Sequence, residues 1–186
     1  MEKKKNDFIA QGSILAIASI LVRVMGMIYR IPMTAIIGDK GNGFYSYAYS
    51  VYTILLLLSS YSLPLAVSKM VSAKAQLGQW RNVKRVFICA IAFAIGIGTT
   101  FGLIVLIGAQ FFTRVFFHSE LAAIALRFMA PTILIMALLG VFRGFFQGLQ
   151  NTLPTAVSQI VEGLINAIMS VVFAYFLFDF GHGMDA

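Results

Sequence analysis

The stretch FIAQGSILAIASILVRVMGMIYRIPMTAII, Phe8 to Ile37, decides the fold class. It is about thirty residues long and contains two arginines and no acid. As a helix rising about 1.5 Å per residue it reaches roughly 45 Å, more than the roughly 30 Å hydrocarbon core of a bilayer. The segment therefore spans a membrane with length to spare. Arg23 falls near the middle of the run, where a guanidinium facing lipid costs roughly 2.5 to 3.5 kcal/mol on translocon scales. Its neighbours at helical spacing are Gly12, Ala16, Ser19, Gly26 and Arg30, so small residues and both cations share one face. That face is expected to look away from lipid, toward partner helices or a wet cavity.

Working outward, the whole chain reads the same way. Of its 186 residues 60% are hydrophobic and 11% charged, a composition that excludes an ordinary soluble domain. The expected fold is all-α: a polytopic membrane protein with five transmembrane helices. A formal net charge of +7 would suggest nucleic acid in a soluble chain. In a membrane protein its meaning depends on where each cation falls, and no nucleic-acid partner is expected. The single cysteine, Cys89, excludes a disulfide framework and a thiolate metal cluster. The basic start, Met1 to Lys5, is followed by an apolar run about twice the length of a secretory h-region and reads as a retained first helix.

The expected organisation is a cytoplasmic basic tail over residues 1–7, a helical bundle over 8–178, and an external tail over 179–186. The spans within the bundle are 8–37, 44–71, 86–112, 121–149 and 154–178. Gly38 to Gly43 reads as a turn, and Tyr45, Tyr47, Tyr49 and Tyr52 as a headgroup-boundary cluster. Pro64 predicts a kink near Ser60 to Leu63, with hydroxyls satisfying the freed carbonyls. Lys69 to Arg85 reads as a polar, basic connection. Val86 to Phe112 is an unbroken apolar run. Arg127, Pro131 and Arg143 interrupt the fourth span. The fifth carries Thr155, Gln159, Glu162, Asn166 and Ser170 along one face.

Cations divide by side. Lys3, Lys4, Lys5, Lys69, Lys74, Arg81, Lys84, Arg85 and Arg143 fall on one side, and Lys40, Arg114 and Arg127 on the other. The positive-inside rule then expects a cytoplasmic amino terminus and an external carboxyl tail.

Candidate binding residues follow from charge placed inside spans. Arg23 and Arg30, seven residues apart, lie on one face about 10 Å apart, which suits two phosphates or one long anionic headgroup. The planar guanidinium fork matches phosphate oxygens. The plainer alternative is that Arg30 reaches the outer interface and Arg23 pairs with a carboxylate. Glu162 is the carboxylate deepest in a span, with Asn166 one turn on. It reads as the counter-ion of an intramembrane arginine or as a coupling-ion site. Arg143 in FRGFFQGLQ is a candidate for headgroup phosphate or for snorkelling to lipid. His118 and His182 have no second ligand at metal spacing and no nucleophile beside them, so neither a metal, a cofactor nor an enzymatic activity is expected.

Three ordered motifs carry a resemblance. RVMGMIYRIPMT from Arg23 to Thr34, followed by IGDKGNGFY from Ile37 to Tyr45, is similar to the first-helix signature of the stage V sporulation protein B type of polysaccharide exporter. SLPLAVSK from Ser62 to Lys69, and FRGFFQGLQNTLPTAVSQIVE from Phe142 to Glu162, resemble the second-helix and fourth-to-fifth-helix signatures of that family. Its superfamily also holds lipid II flippases and multidrug and toxic-compound extruders. The resemblance implies a bacterial cytoplasmic-membrane transporter of about fourteen spans in two lobes, of which this chain supplies part of one. It implies a flippase moving an undecaprenyl-pyrophosphate-linked precursor of cell wall or polysaccharide, such as lipid II, by alternating access. Arg23 and Arg30 then hold the pyrophosphate, and membrane lipids are the implied partners; the remaining helices either belong to a separate chain or follow in a longer protein of which this is an amino-terminal fragment or truncated reading frame. Pro64 and Pro131 would be bending points. A basic residue frequent after Glu162 in that family is replaced here by neutral Gly163 and Asn166. A cation-coupled drug exporter and a non-transporting scaffold are the alternatives.

Overall fold

A computed structural model describes residues 2–60, 62–117 and 121–182. His118 and the end of the expected external tail, residues 183–186, lie outside the described residues. Every described element is a helix: α1 Glu2–Ser60, α2 Leu63–Gln76, α3 Trp80–Phe117, α4 Leu121–Gly148 and α5 Leu153–His182. Among the described residues these supply five spans long and apolar enough to cross a membrane, Gly12–Gly38, Gly41–Gln76, Trp80–Phe117, Ala122–Gly148 and Leu153–Phe176. The chain is an all-α, multi-pass membrane protein.

Several boundaries differ from the expectation. The turn expected over Gly38 to Gly43 contracts to one residue. Gly38 takes φ 73°, ψ 172°, a left-handed backbone open to glycine, and helix resumes at once on either side. Where a kink was expected at Pro64, α1 ends at Ser60 and α2 starts afresh at Leu63, with the proline in the first helical turn that suits it. The Ser62 hydroxyl does not cap that turn; Ser62 contributes its carbonyl, 3.1 Å from the Ala66 N–H. The basic connection also shrinks. Lys69 and Lys74 belong to α2 and Arg81, Lys84 and Arg85 to α3, leaving only Leu77, Gly78 and Gln79 between helices. Backbone hydrogen bonds are obligatory near lipid, so a helix continues past its apolar segment and carries its cations outward on its own end.

The chain divides into two compact units, residues 43–151 and the pair of segments 1–42 and 152–186. The first unit packs the second half of α1, α2, α3 and α4 around two apolar clusters. Ala48, Val51 and Tyr52 meet Val105, Ala109, Ala123, Leu126, Ala130 and Ile133 in one. Leu63, Val67 and Val71 meet Val83, Ala94, Ala137 and Val141 in the other. Tyr52 is tied across to α4 by a 3.1 Å bond from Thr132 Oγ1. Tyr47 stacks on Phe117 at 4.7 Å, and Tyr45 on Tyr49 at 5.8 Å, so the tyrosine cluster is ordered by ring contacts as well as by its amphipathic character.

Glycine lets α4 reach α2. Gly140, Gly144 and Gly148 are buried at four-residue spacing. A Cβ at Gly144 would lie 2.5 Å from the Pro64 carbonyl oxygen, and one at Gly148 would lie 2.8 Å from that of Ser68. Between membrane helices, where lipid competes for every apolar side chain, such a seam replaces side-chain bulk with backbone contact.

Candidate functional site

The candidate residues fall in both units. Arg23, Arg30, Glu162 and Asn166 belong to the α1–α5 unit, and Arg143 to the other. Arg143 is half-buried near the end of α4.

Within the α1–α5 unit, the packing seam runs along Val22, Met25 and Tyr29. Gly163 lies against Val22 and Met25, where an added Cβ would meet them at 3.3 Å. One turn further along both helices, Asn166 Nδ2 points at the Tyr29 hydroxyl at 3.5 Å. Contacts that advance together along both helices mean that α1 and α5 run parallel, as the first and fifth spans of a chain that crosses alternately must.

Parallel direction and the roughly 100° turn per residue fix which flanks adjoin. On α1, Arg23 and Arg30 lie about 110° clockwise from the α5-facing seam, viewed from the amino-terminal end. On α5, Glu162 lies roughly 80 to 100° counter-clockwise from the α1-facing direction, with Gln159 and Asn166 between. The two rotations bring these residues to the same side of the pair. That side carries Ser19, Gly26, Arg23 and Arg30 from α1 and Gln159, Glu162 and Asn166 from α5. The opposite side carries Ile17, Leu21 and Ile28 from α1 and Ile160, Leu164 and Val171 from α5. Ile17, Leu21, Ile28 and Leu164 are exposed there, as a lipid-facing flank requires.

Both guanidiniums are exposed. The expected face of small residues and cations is thus set off from the helix that packs on α1, and the Arg23 and Arg30 guanidiniums make no ion pair or hydrogen bond among the described residues. Asn166 is held from two sides, since the Ser170 hydroxyl donates to its Oδ1 at 3.1 Å while its amide reaches Tyr29. Closer to the start of α5, Thr155 Oγ1 and Gln159 Oε1 are buried without a hydrogen-bond partner among the described residues. A flank with two permanent positive charges, an exposed carboxylate and amide, and a glycine in its floor can hold an anion several atoms long. Among the described residues no group of three metal-ligating side chains forms.

Charge and polarity along the sequence do not single out Tyr29. A signal for it exists: Val22, Met25 and Tyr29 repeat at spacings of three and four, one position behind the arginines. It becomes legible as a helix-facing stripe once α5 is known to lie there.

The chain is 27% identical over 163 residues to "Lipid II flippase MurJ" of Bacillus subtilis (strain 168), covering 83% of this chain and 30% of that protein. It is 26% identical over 168 residues to "Stage V sporulation protein B" of the same organism, covering 90% of this chain and 32% of that protein. A third relative there, "Uncharacterized membrane protein YabM", is 26% identical over 174 residues, or 93% and 32% of the two chains. The chain thus spans about a third of the length of these curated relatives. No solved structure matches it. The family model described as "Polysaccharide biosynthesis protein" matches residues 8–180, nearly the whole sequence and all five spans, and the chain belongs to that family.

Proposed function

We propose that this chain is part of a flippase that moves a lipid-linked glycan precursor, such as lipid II, outward across the bacterial cytoplasmic membrane by alternating access, its amino terminus cytoplasmic. The observation that carries the reading is the polar flank of the α1–α5 pair, where Arg23 and Arg30 stand exposed about 10 Å apart on a membrane-spanning helix. From that backbone spacing two long, flexible arginine side chains can converge on the pyrophosphate that joins such a headgroup to its lipid. The lipid tail stays in the bilayer, so the site needs to hold only the charged linker and its sugars. The relative named as a lipid II flippase supports the same substrate class.

In this reading Glu162 balances the arginines when the anion is absent, and with Asn166 it answers to a coupling ion. Arg143, near the end of α4, makes a separate contact with headgroup phosphate at the cytoplasmic boundary. No bond is made or broken in the transported molecule, so the chain has no enzymatic step. The positive flank disfavours a carrier of organic cations. The relatives are about three times as long as this chain, so the transporting unit contains more helices than these five.

The test is outward movement of a fluorescent undecaprenyl-pyrophosphate lipid in proteoliposomes, with the chain alone and with partner helices co-expressed. Movement that falls at least ten-fold in Arg23→Ala and Arg30→Ala is expected, because each guanidinium contributes charge-assisted hydrogen bonds of roughly 1.5 to 3 kcal/mol. Movement unchanged by both substitutions removes the site; movement absent from every assembly removes the function.

A further inference from the structure

We infer that Tyr29 is a further ligand of the anion, with its phenol O–H aimed by a relay from α5. This rests on the anion-binding reading of Arg23 and Arg30. The relay has three members. Ser170 donates to Asn166 Oδ1 at 3.1 Å, which turns the amide so that its Nδ2 points at the Tyr29 oxygen at 3.5 Å.

An amide N–H approaching the phenol oxygen occupies it as an acceptor, so the Tyr29 proton is the part left to donate. Among the described residues that proton has no acceptor. Asn166 lies on the flank of α5 that turns toward the arginines, so the contact draws the phenol to that side of the pair. Tyr29 precedes Arg30 in the chain. Its ring lies in the seam, about 100° round the helix from Arg30, so the phenol stands at the edge of the cationic flank, where a neutral donor adds a directed hydrogen bond to an oxyanion without adding charge to the span.

The 3.5 Å separation is at the long limit for such a bond, so its main effect is orientation. Asn166 and Ser170 are positioning residues here, and Tyr29 touches the ligand. A purely structural tyrosine at this seam would need only its ring, not its hydroxyl.

The experiment measures equilibrium binding of a fluorescent polyprenyl pyrophosphate to the full chain in nanodiscs, with thermal unfolding recorded for each variant. Tyr29→Phe keeps the ring and removes the donor, and should weaken binding roughly ten-fold, the effect of one hydrogen bond to a charged group. Asn166→Leu should weaken it by a similar or smaller factor. The double variant should lose no more than Tyr29→Phe alone, since both remove one chain of bonds. Ser170→Ala, the mildest change, should weaken binding a few-fold at an unaltered melting temperature. Wild-type affinity in Tyr29→Phe alongside a loss in Arg23→Ala overturns the assignment of Tyr29 and leaves the anion site standing. Losses that multiply in the double variant overturn the relay. Wild-type affinity in Arg23→Ala and Arg30→Ala overturns the anion site, and the Tyr29 assignment with it.

Discussion

Replacing Gly144 by alanine adds one methyl group where α4 passes directly against the Pro64 backbone of α2. The added Cβ would stand 2.5 Å from the Pro64 carbonyl oxygen, 2.9 Å from its Cα and 3.0 Å from its carbonyl carbon. All three are backbone atoms, so no rotamer change relieves the overlap. Ordinary contact returns only if α2 and α4 part by roughly 1 Å, and on close-packed surfaces a gap of that size forfeits a quarter to a half of each dispersion contact around it. Val67, Val71, Ala137 and Val141 lie in the cluster that would open. Overpacking of this kind costs typically 1 to 3 kcal/mol, so we expect about 2 to 3 kcal/mol after the modest gain in helix propensity from alanine. Gly96 supplies the control: it lies in α3 with nothing within 4 Å of an added Cβ, and Gly96→Ala should be neutral or stabilising by up to about 1 kcal/mol. Equilibrium unfolding in mixed micelles, followed by far-ultraviolet circular dichroism, compares the three proteins. If Gly144→Ala is as stable as the parent, α4 does not approach α2 by backbone contact and the packing account given for this unit is wrong.

Two further predictions concern the backbone and the topology. Gln150 closes α4 at φ 59° in a Schellman arrangement, with the Asn151 N–H 3.0 Å from the Phe146 carbonyl and the Gln150 N–H 3.0 Å from that of Gln147. The turn after α2 uses Gly78 at φ 67° in the same role, so Gln150→Gly should stabilise the chain by about 1 kcal/mol, read as a raised unfolding midpoint; an unchanged or lowered midpoint refutes it. In a Cys89→Ala background, a cysteine at Gln79 should react with a membrane-impermeant maleimide only after the cytoplasmic side is opened. A cysteine at Phe116, near the end of α3, should react in intact cells, and the reverse pattern would invert the topology.

Much of the architecture is legible in hydropathy alone. Runs such as Val86 to Phe112 are too long and too apolar for anything but a span, because an unpaired backbone amide near lipid costs more than any local propensity can supply. The same reasoning put Arg23 and Arg30 on one face. It placed boundaries less well where polarity and helix end at different residues, as at Lys69 to Arg85, since hydropathy reports the membrane's edge and hydrogen bonding decides the helix's. Gly38 to Gly43 misled for a related reason: six turn-forming residues permit a loop, but only Gly38 had to leave the helix.

Which segments cross the membrane and which charges lie inside them can be read residue by residue, because both depend on the transfer of each residue from water to hydrocarbon. Arg23 is likewise placed with Arg30, and Glu162 with Asn166, since spacing along one helix needs no second helix. Only the tertiary structure decided that these two sets share one side of the α1–α5 pair. That follows from the parallel direction of the helices and from the register in which Gly163 meets Val22 and Met25, and neither is written in the periodicity of either helix alone. Tyr29 shows the same division: its position was plain, but its hydroxyl acquired a role when α5 brought Asn166 beside it.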